Sequence, residues 1–255
     1  GDHSLFQQSA LRLMSSKDLN FDQHIVLTNS DFRFIIVEQL MSIGIDPGPI
    51  ILEPESKSTA PAILAATIFA YNRNPNSILL VSPSDHLITD LEQFYKSINI
   101  GLKEVNKGKI IIFGVKPSYP ETGYGYIEFD KLNASSIKSV SQFREKPDYD
   151  TAKEFIAKGN FLWNAGIFMW SANSVISAFK NNQPELYQLF EQGIDVYNTE
   201  FEDDFISENY GKAENISVDY AIMEKSNNVY VLPATFDWND LGTWGSLYDK
   251  LNKDL

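Results

Sequence analysis

The stretch SILLVSPSDH, residues 77–86, reads as a strand that runs into an acid. Ser77 to Val81 is apolar and β-branched enough for a strand covered on both faces, and Pro83 stops it. Asp85 then lies at the strand's carboxyl edge. Working outward, further strands are expected over residues 23–29, 50–53 and 109–115, and helices over 4–13, 59–72 and 89–105. An amphipathic helix over 31–43 is closed by Gly44. Strand and helix alternate at the spacing of a parallel, doubly wound α/β sheet. After Val115 the pattern changes to strands over 124–129, 137–143 and 161–170 with one short helix between them. Helices dominate 171–226, and one more strand follows over 229–232. No repeat, low-complexity tract or linker breaks the chain, which reads as one domain.

Composition removes several function classes. A net charge of −13 argues against nucleic-acid binding, because no Lys/Arg cluster is present to replace counterions along a phosphate backbone. A small phosphorylated ligand remains compatible, since it needs only a few cations, a metal ion or oriented N–H groups. With no cysteine there is no disulfide framework. The most apolar helical stretch, residues 60–71, is about half the length of a membrane span, and the first residues show no basic-then-apolar pattern. The expectation is a soluble, cytoplasmic protein with no membrane partner. Three scattered histidines leave carboxylates and lysines to carry the chemistry.

Asp85 has two readings. As a helix cap it would be redundant, because Thr89 and Glu92 form a capping box for the next helix. As an acid at the carboxyl edge of a parallel sheet, it lies where such sheets bind ligands and where Mg²⁺ is held beside a phosphate. Asp240, in the run DWNDLGTW over residues 237–244, is either the cap of a closing helix or a second ligand.

Three more stretches carry candidates. In PETGYGY, residues 120–126, Gly123 and Gly125 admit a close backbone approach or simply form a turn. In FREKP, residues 143–147, Glu145 and Lys146 adjoin at a strand end and would point to opposite faces. They are solvated charges, or an acceptor for sugar hydroxyls and a cation for a phosphate. In LWNAG, residues 162–166, Asn164 is either a satisfied buried amide or a sugar reader.

Taken in order, Glu53-Pro54 with TAPA at 59–62, PSDH at 83–86, PETGYGY, EKP at 145–147, WNAG at 163–166, VDYAIMEK at 218–225 and WNDLG at 238–242 resemble the mannose-1-phosphate guanylyltransferase family over nearly the whole chain. The resemblance implies a mixed, mainly parallel Rossmann-like sheet flanked by helices. It also implies transfer of GMP from GTP to mannose 1-phosphate, giving GDP-mannose and pyrophosphate. By the family pattern Asp85 and Asp240 hold Mg²⁺, while Glu145, Asn164 and the backbone around Gly123 hold the mannose. Lys146 meets its phosphate. The segment from Glu53 through Thr59 to Pro61 borders the guanine.

Two departures qualify the match. The family's opening strand and glycine-rich loop, G-x-x-G-x-R-L-x-P, do not precede Gly1, so a longer protein with an upstream segment is expected. The chain also ends just after its last motif, so neither a β-helical tail nor an appended isomerase domain is expected within these residues. The usual R-N-T beside the base is Lys57-Ser58-Thr59 here. The alternatives are a nucleotidyltransferase for another sugar 1-phosphate or nucleotide, and a non-catalytic sugar-nucleotide sensor. A homo-oligomer is an open alternative to a monomer.

Overall fold

In the computed structural model, residues 3–16, 19–131 and 135–241 are described below. Helix α1 (Leu5–Arg12) begins at a capping box in which the Ser4 hydroxyl accepts from the Gln7 N–H and the Gln7 side chain accepts from the Ser4 N–H. Strand β1 (Val26–Asn29), helix α2 (Arg33–Ser42) and strand β2 (Ile50–Glu53) follow, β1 and β2 pairing in parallel as a two-stranded sheet of their own. Helix α2 is not amphipathic as expected: its apolar residues surround the axis, and Phe34 is 83% exposed. Gly44 does close it, at φ +75°.

Helix α3 (Thr59–Arg73), strand β3 (Ile78–Val81), helix α4 (Leu91–Val105) and strand β4 (Ile110–Val115) continue the alternation. Strands β5 (Tyr126–Phe129) and β6 (Lys138–Arg144), helix α5 (Tyr149–Lys158) and the long strand β7 (Phe161–Ser171) form the next block. Helices α6 (Ala172–Asn182), α7 (Pro184–Glu191) and α8 (Glu202–Asn209) lead to strand β8 (Val229–Pro233). The main sheet has the order β3-β7-β4-β8-β6-β5, with β5 also meeting β7.

The chain is mixed α/β with helices packed on the sheet, as the alternation predicts. Parallel pairing is less extensive than expected, being confined to β1–β2 and β4–β8 among the described residues. The reason is β7, which inserts antiparallel between β3 and β4 and so separates two strands that a simple crossover would leave as neighbours. In β4 the residues Ile110 and Ile112 face a core built with α3, α6 and α7, while Ile111 and Phe113 face a second core with Phe94 and Ile98 of α4. Burial on both faces explains the unbroken apolar run.

Two features of this architecture position the site. One edge of β7 serves two strands in turn: Phe161–Trp163 pairs with β5, and Phe168–Ser171 pairs with β3. Between them the Asn164 N–H still reaches the Gly125 carbonyl just before β5 at 2.8 Å, and from Ala165 to Ile167 neither β5 nor β3 pairs with that edge. Gly166 sits at φ +68°, a conformation that glycine adopts without strain, and the strand bends there. A cleft of about 350 Å³ also opens beside β1 and β3, walled by Val26, Leu27, Val81 and Pro83 and reaching from Thr59 to Ser84 and Gly166. Among the described residues no helix is long and apolar enough to cross a membrane.

Candidate active site

Asp85 follows β3 as the sequence predicts, on a loop that turns toward a segment 152 positions away. Leu87 and Asn239 form an isolated antiparallel bridge there. His86, between Asp85 and Leu87, accepts at Nδ1 from the Trp238 indole N–H at 3.2 Å. The two loops are thus joined by backbone and side chain. His86 feels both Asp85 and Asp240, yet burial outweighs them and holds its pKa below the ordinary value. A neutral ring is what an indole donor at Nδ1 requires.

Asp240 is oriented from the other side. The Tyr124 hydroxyl donates to its Oδ1 at 2.6 Å. Tyr124 packs edge-on against Trp163 and Trp238, so the donor is itself held in place. Desolvation and the Asp240 carboxylate push the Tyr124 pKa upward, which keeps the phenol protonated and donating. The cap reading of Asp240 concerns positions after 241, which lie outside the described residues. The capping of α4 differs from expectation: its N-cap is Asp90, which accepts from the Gln93 N–H. Thr89 instead gives its hydroxyl and N–H to the Asp237 carboxylate. Glu92 pairs with Lys96 one turn along. A cap other than Asp85 still serves the helix.

The break in β7 supplies the next residues. The Asn164 Oδ1 accepts from the Gly166 N–H at 2.9 Å and its Nδ2 donates to Asp219 Oδ1 at 2.9 Å, so the amide props the bend open. A Cβ on Gly166 would lie 3.4 Å from Pro83 and 3.5 Å from His86, which seats the Asp85 loop directly over the bend. On its other side Gly125 abuts Glu145: a Cβ there would stand 2.5 Å from Glu145 Oε2. Of the two glycines in the G-Y-G run, Gly125 carries this close packing. Gly123 is exposed, and its N–H goes to the Glu121 carboxylate.

Glu145 and Lys146 do not part to opposite faces as expected. They lie beyond the end of β6, where strand alternation no longer applies, and Lys146 adopts φ +45°. Its ammonium consequently stands 3.5 Å from Glu145 Oε1. Even so, burial exceeds that attraction, and the Glu145 pKa is raised. Its Oε2 is buried without a hydrogen-bond partner among the described residues. Asp219, inside the VDYAIMEK run, has no role that sequence reasoning assigns. Burial and then the nearby Glu145 carboxylate push its pKa up to about 7. Its one signal in the sequence is an acid set in an otherwise apolar turn.

The base-side candidates are tied into the scaffold. The Thr59 hydroxyl accepts from the Val218 N–H at 2.9 Å while the residue lines the cleft. The Glu53 carboxylate accepts from the Tyr210 hydroxyl. Acids therefore crowd one region, with Lys146 the cation nearest Glu145 and Asp219. Among the described residues no group of three or more His, Cys, Asp or Glu side chains is placed to form a protein-only metal cage. Two carboxylates carried on two bridged loops, both acting on the His86 ring, fit Mg²⁺, which takes few protein oxygens and completes its shell with water and phosphate.

The nucleotidyl transferase family model matches residues 1–255, the whole chain. The chain belongs to the nucleotidyl transferase family. Among curated relatives, the mannose-1-phosphate guanylyltransferase RfbM of Salmonella typhimurium is 36% identical over 259 residues, covering 100% of this chain and 53% of the relative. Mannose-1-phosphate guanylyltransferase 2 of Escherichia coli O157:H7 is 37% identical, covering 98% of this chain and 53% of the relative. This transferase chain thus spans about half the length of the curated relatives it matches. Among solved structures, one named mannose-1-phosphate geranyltransferase from Thermus thermophilus superposes with a TM-score of 0.80 at 26% identity, over 98% of this chain and 70% of that one. A Helicobacter pylori structure named mannose-6-phosphate isomerase gives 0.78 at 26% identity, over 93% and 90%. The sheet with its bend at Gly166 is therefore a nucleotidyl transferase scaffold.

Proposed function

We propose that the full-length protein transfers GMP from GTP to mannose 1-phosphate, giving GDP-mannose and pyrophosphate. One observation carries the reading: the Leu87–Asn239 bridge sets the Asp85 and Asp240 loops together beside the bend that holds Asn164, within the same neighbourhood as Glu145 and Lys146. The relatives named for this reaction support it.

In this reading Asp85 and Asp240 hold Mg²⁺, which when bound supplies charge neutralisation for the α-phosphate and the departing pyrophosphate. No protein base is required, since the attacking phosphate oxygen is already an anion. The chain's own contribution is placement. Glu145 offers its buried Oε2 to a sugar hydroxyl, a donor that no described residue supplies. Asn164 and the backbone of the Gly123 loop complete the sugar side, and Lys146 neutralises the sugar phosphate. Thr59, which lines the cleft, and Glu53 border the base in this reading.

The test is pyrophosphate release by the full-length protein, with GTP compared against the other triphosphates and mannose 1-phosphate against other sugar 1-phosphates. Turnover confined to GTP and mannose 1-phosphate supports the reading. Turnover with a different pair would transfer it to another nucleotidyltransferase specificity. Tight binding of GDP-mannose with no turnover would leave the sensor reading.

A further inference from the structure

Arg12 is 2% exposed, yet no salt bridge among the described residues involves it. Two of its three guanidinium nitrogens act toward the Asp85 loop, one directly and one through Ser9, while Nε is buried with no hydrogen-bond partner among the described residues. Nη1 donates to the His86 carbonyl at 3.3 Å, and Nη2 donates to the Ser9 hydroxyl at 2.8 Å. Ser9 passes the contact on, its hydroxyl donating to the Pro83 carbonyl at 3.2 Å. One turn of α1 thus grips the two carbonyls on either side of Ser84 and Asp85. Helix α4 anchors the same residue, because its Tyr95 hydroxyl donates to the Arg12 carbonyl at 3.0 Å and the guanidinium lies over its Phe94 ring.

We propose that Arg12 and Ser9 are positioning residues for Asp85, setting the divalent-cation affinity of the site from behind the loop. The inference rests on the reading of Asp85 as a metal ligand. Asp85 itself is 74% exposed and its own side chain is a weak anchor, 3.9 Å from His86 Nε2. A carboxylate on a loose loop must give up conformational freedom when it binds a cation. A loop held at both carbonyls has already done so. Burying a guanidinium without a carboxylate carries a desolvation cost, and an apolar side chain would pack α1 against the loop more cheaply. The geometry accounts for that cost, since a forked donor can hold the loop at one end and Ser9 at the other.

The experiment is Mn²⁺ binding to the full-length protein, read by electron paramagnetic resonance, for wild type, Arg12→Met, Arg12→Lys, Ser9→Ala and Asp85→Asn. Arg12→Met is expected to weaken Mn²⁺ about 10-fold while leaving the KM for mannose 1-phosphate unchanged, and Arg12→Lys to restore part of the loss. Ser9→Ala should weaken Mn²⁺ less and speed amide hydrogen exchange at residues 84–87. If Arg12→Met fails to fold, the Ser9→Ala exchange and affinity decide. Unchanged affinity and exchange in Ser9→Ala, or in a folded Arg12→Met, overturn the positioning role while Asp85→Asn still loses Mn²⁺. If Asp85→Asn binds Mn²⁺ like wild type, the metal reading fails and the positioning role falls with it.

Discussion

Leu87 and Asn239 exchange two backbone hydrogen bonds, from the Leu87 N–H to the Asn239 carbonyl at 2.8 Å and from the Asn239 N–H to the Leu87 carbonyl at 3.0 Å. This short bridge fixes the spacing of Asp85 and Asp240 without using either side chain. The mostly exposed Asp85 carboxylate can therefore be replaced with the scaffold intact, whereas Asp240 also holds the Tyr124 hydroxyl.

Asp85→Asn should leave the thermal unfolding midpoint near that of wild type, because the side chain is mostly exposed, and should lower turnover about 100-fold or more. It removes charge without changing size. Turnover measured across a magnesium titration, with the unfolding midpoint as control, checks it. Near-normal turnover at limiting magnesium would count against a ligand role.

The two glycines of the G-Y-G run should separate cleanly. Gly125→Ala would place a Cβ 2.5 Å from Glu145 Oε2 and 3.0 Å from the Phe143 ring, so the carboxylate must move. Strain of about 1–3 kcal/mol and a raised KM for mannose 1-phosphate are expected, with the KM for GTP little changed. Gly123→Ala meets only the end of the Glu121 side chain at 3.3 Å and should be much milder. Equal effects of the two substitutions would remove Glu145 from the sugar side.

Lys146→Met should weaken mannose 1-phosphate binding by about 1.5–3 kcal/mol and GTP binding by less, as expected for one charge-assisted hydrogen bond. Lys146→Gly should lose the same contact yet relieve the left-handed backbone, raising stability by about 1 kcal/mol. Calorimetric titration with each substrate, paired with denaturant unfolding, distinguishes binding from strain. The ion pair with Glu145 adds little to stability, because Lys146 is 63% exposed.

Asp219 should make folding stability fall as pH rises from about 4 to about 7. Its pKa is 3.8 in an ordinary setting and about 7 in the folded protein, so over that window the native state retains a proton that the unfolded chain releases. Above the folded pKa its effect is constant. Asp219→Asn keeps an oxygen for the Asn164 amide and removes the titration. It should flatten that part of the pH profile and stabilise the protein at pH 8 by on the order of 2 kcal/mol. Urea unfolding at a series of pH values tests it, and an unaltered profile would place the titration elsewhere.

Much of the fold is legible in the sequence because it is local. Burial on both faces of a strand writes an unbroken apolar run such as residues 110–113, proline ends a strand, and glycine closes α2. The place of Asp85 at the carboxyl edge of β3 follows on those grounds. The capping of α4 does not, since Thr89 and Asp90 are both competent caps and only the Asp237 carboxylate, 148 residues from Thr89, claims the first. Alternation sends Glu145 and Lys146 to opposite faces only if it continues past the end of β6, where a positive φ overrides it.

Residue types, strand ends and the order of motifs were thus determined by the sequence alone, through preferences that act over a few residues. The tertiary structure decided the neighbours: β7 between β3 and β4, Leu87 against Asn239, Asn164 on Asp219, and Arg12 behind Asp85. These contacts join residues 48 to 152 positions apart. Periodicity reports which face of an element is buried and carries no distance between elements. The distances follow from how the sheet bends at Gly166 and which edges its strands leave unpaired there, and that is a property of the packed chain as a whole.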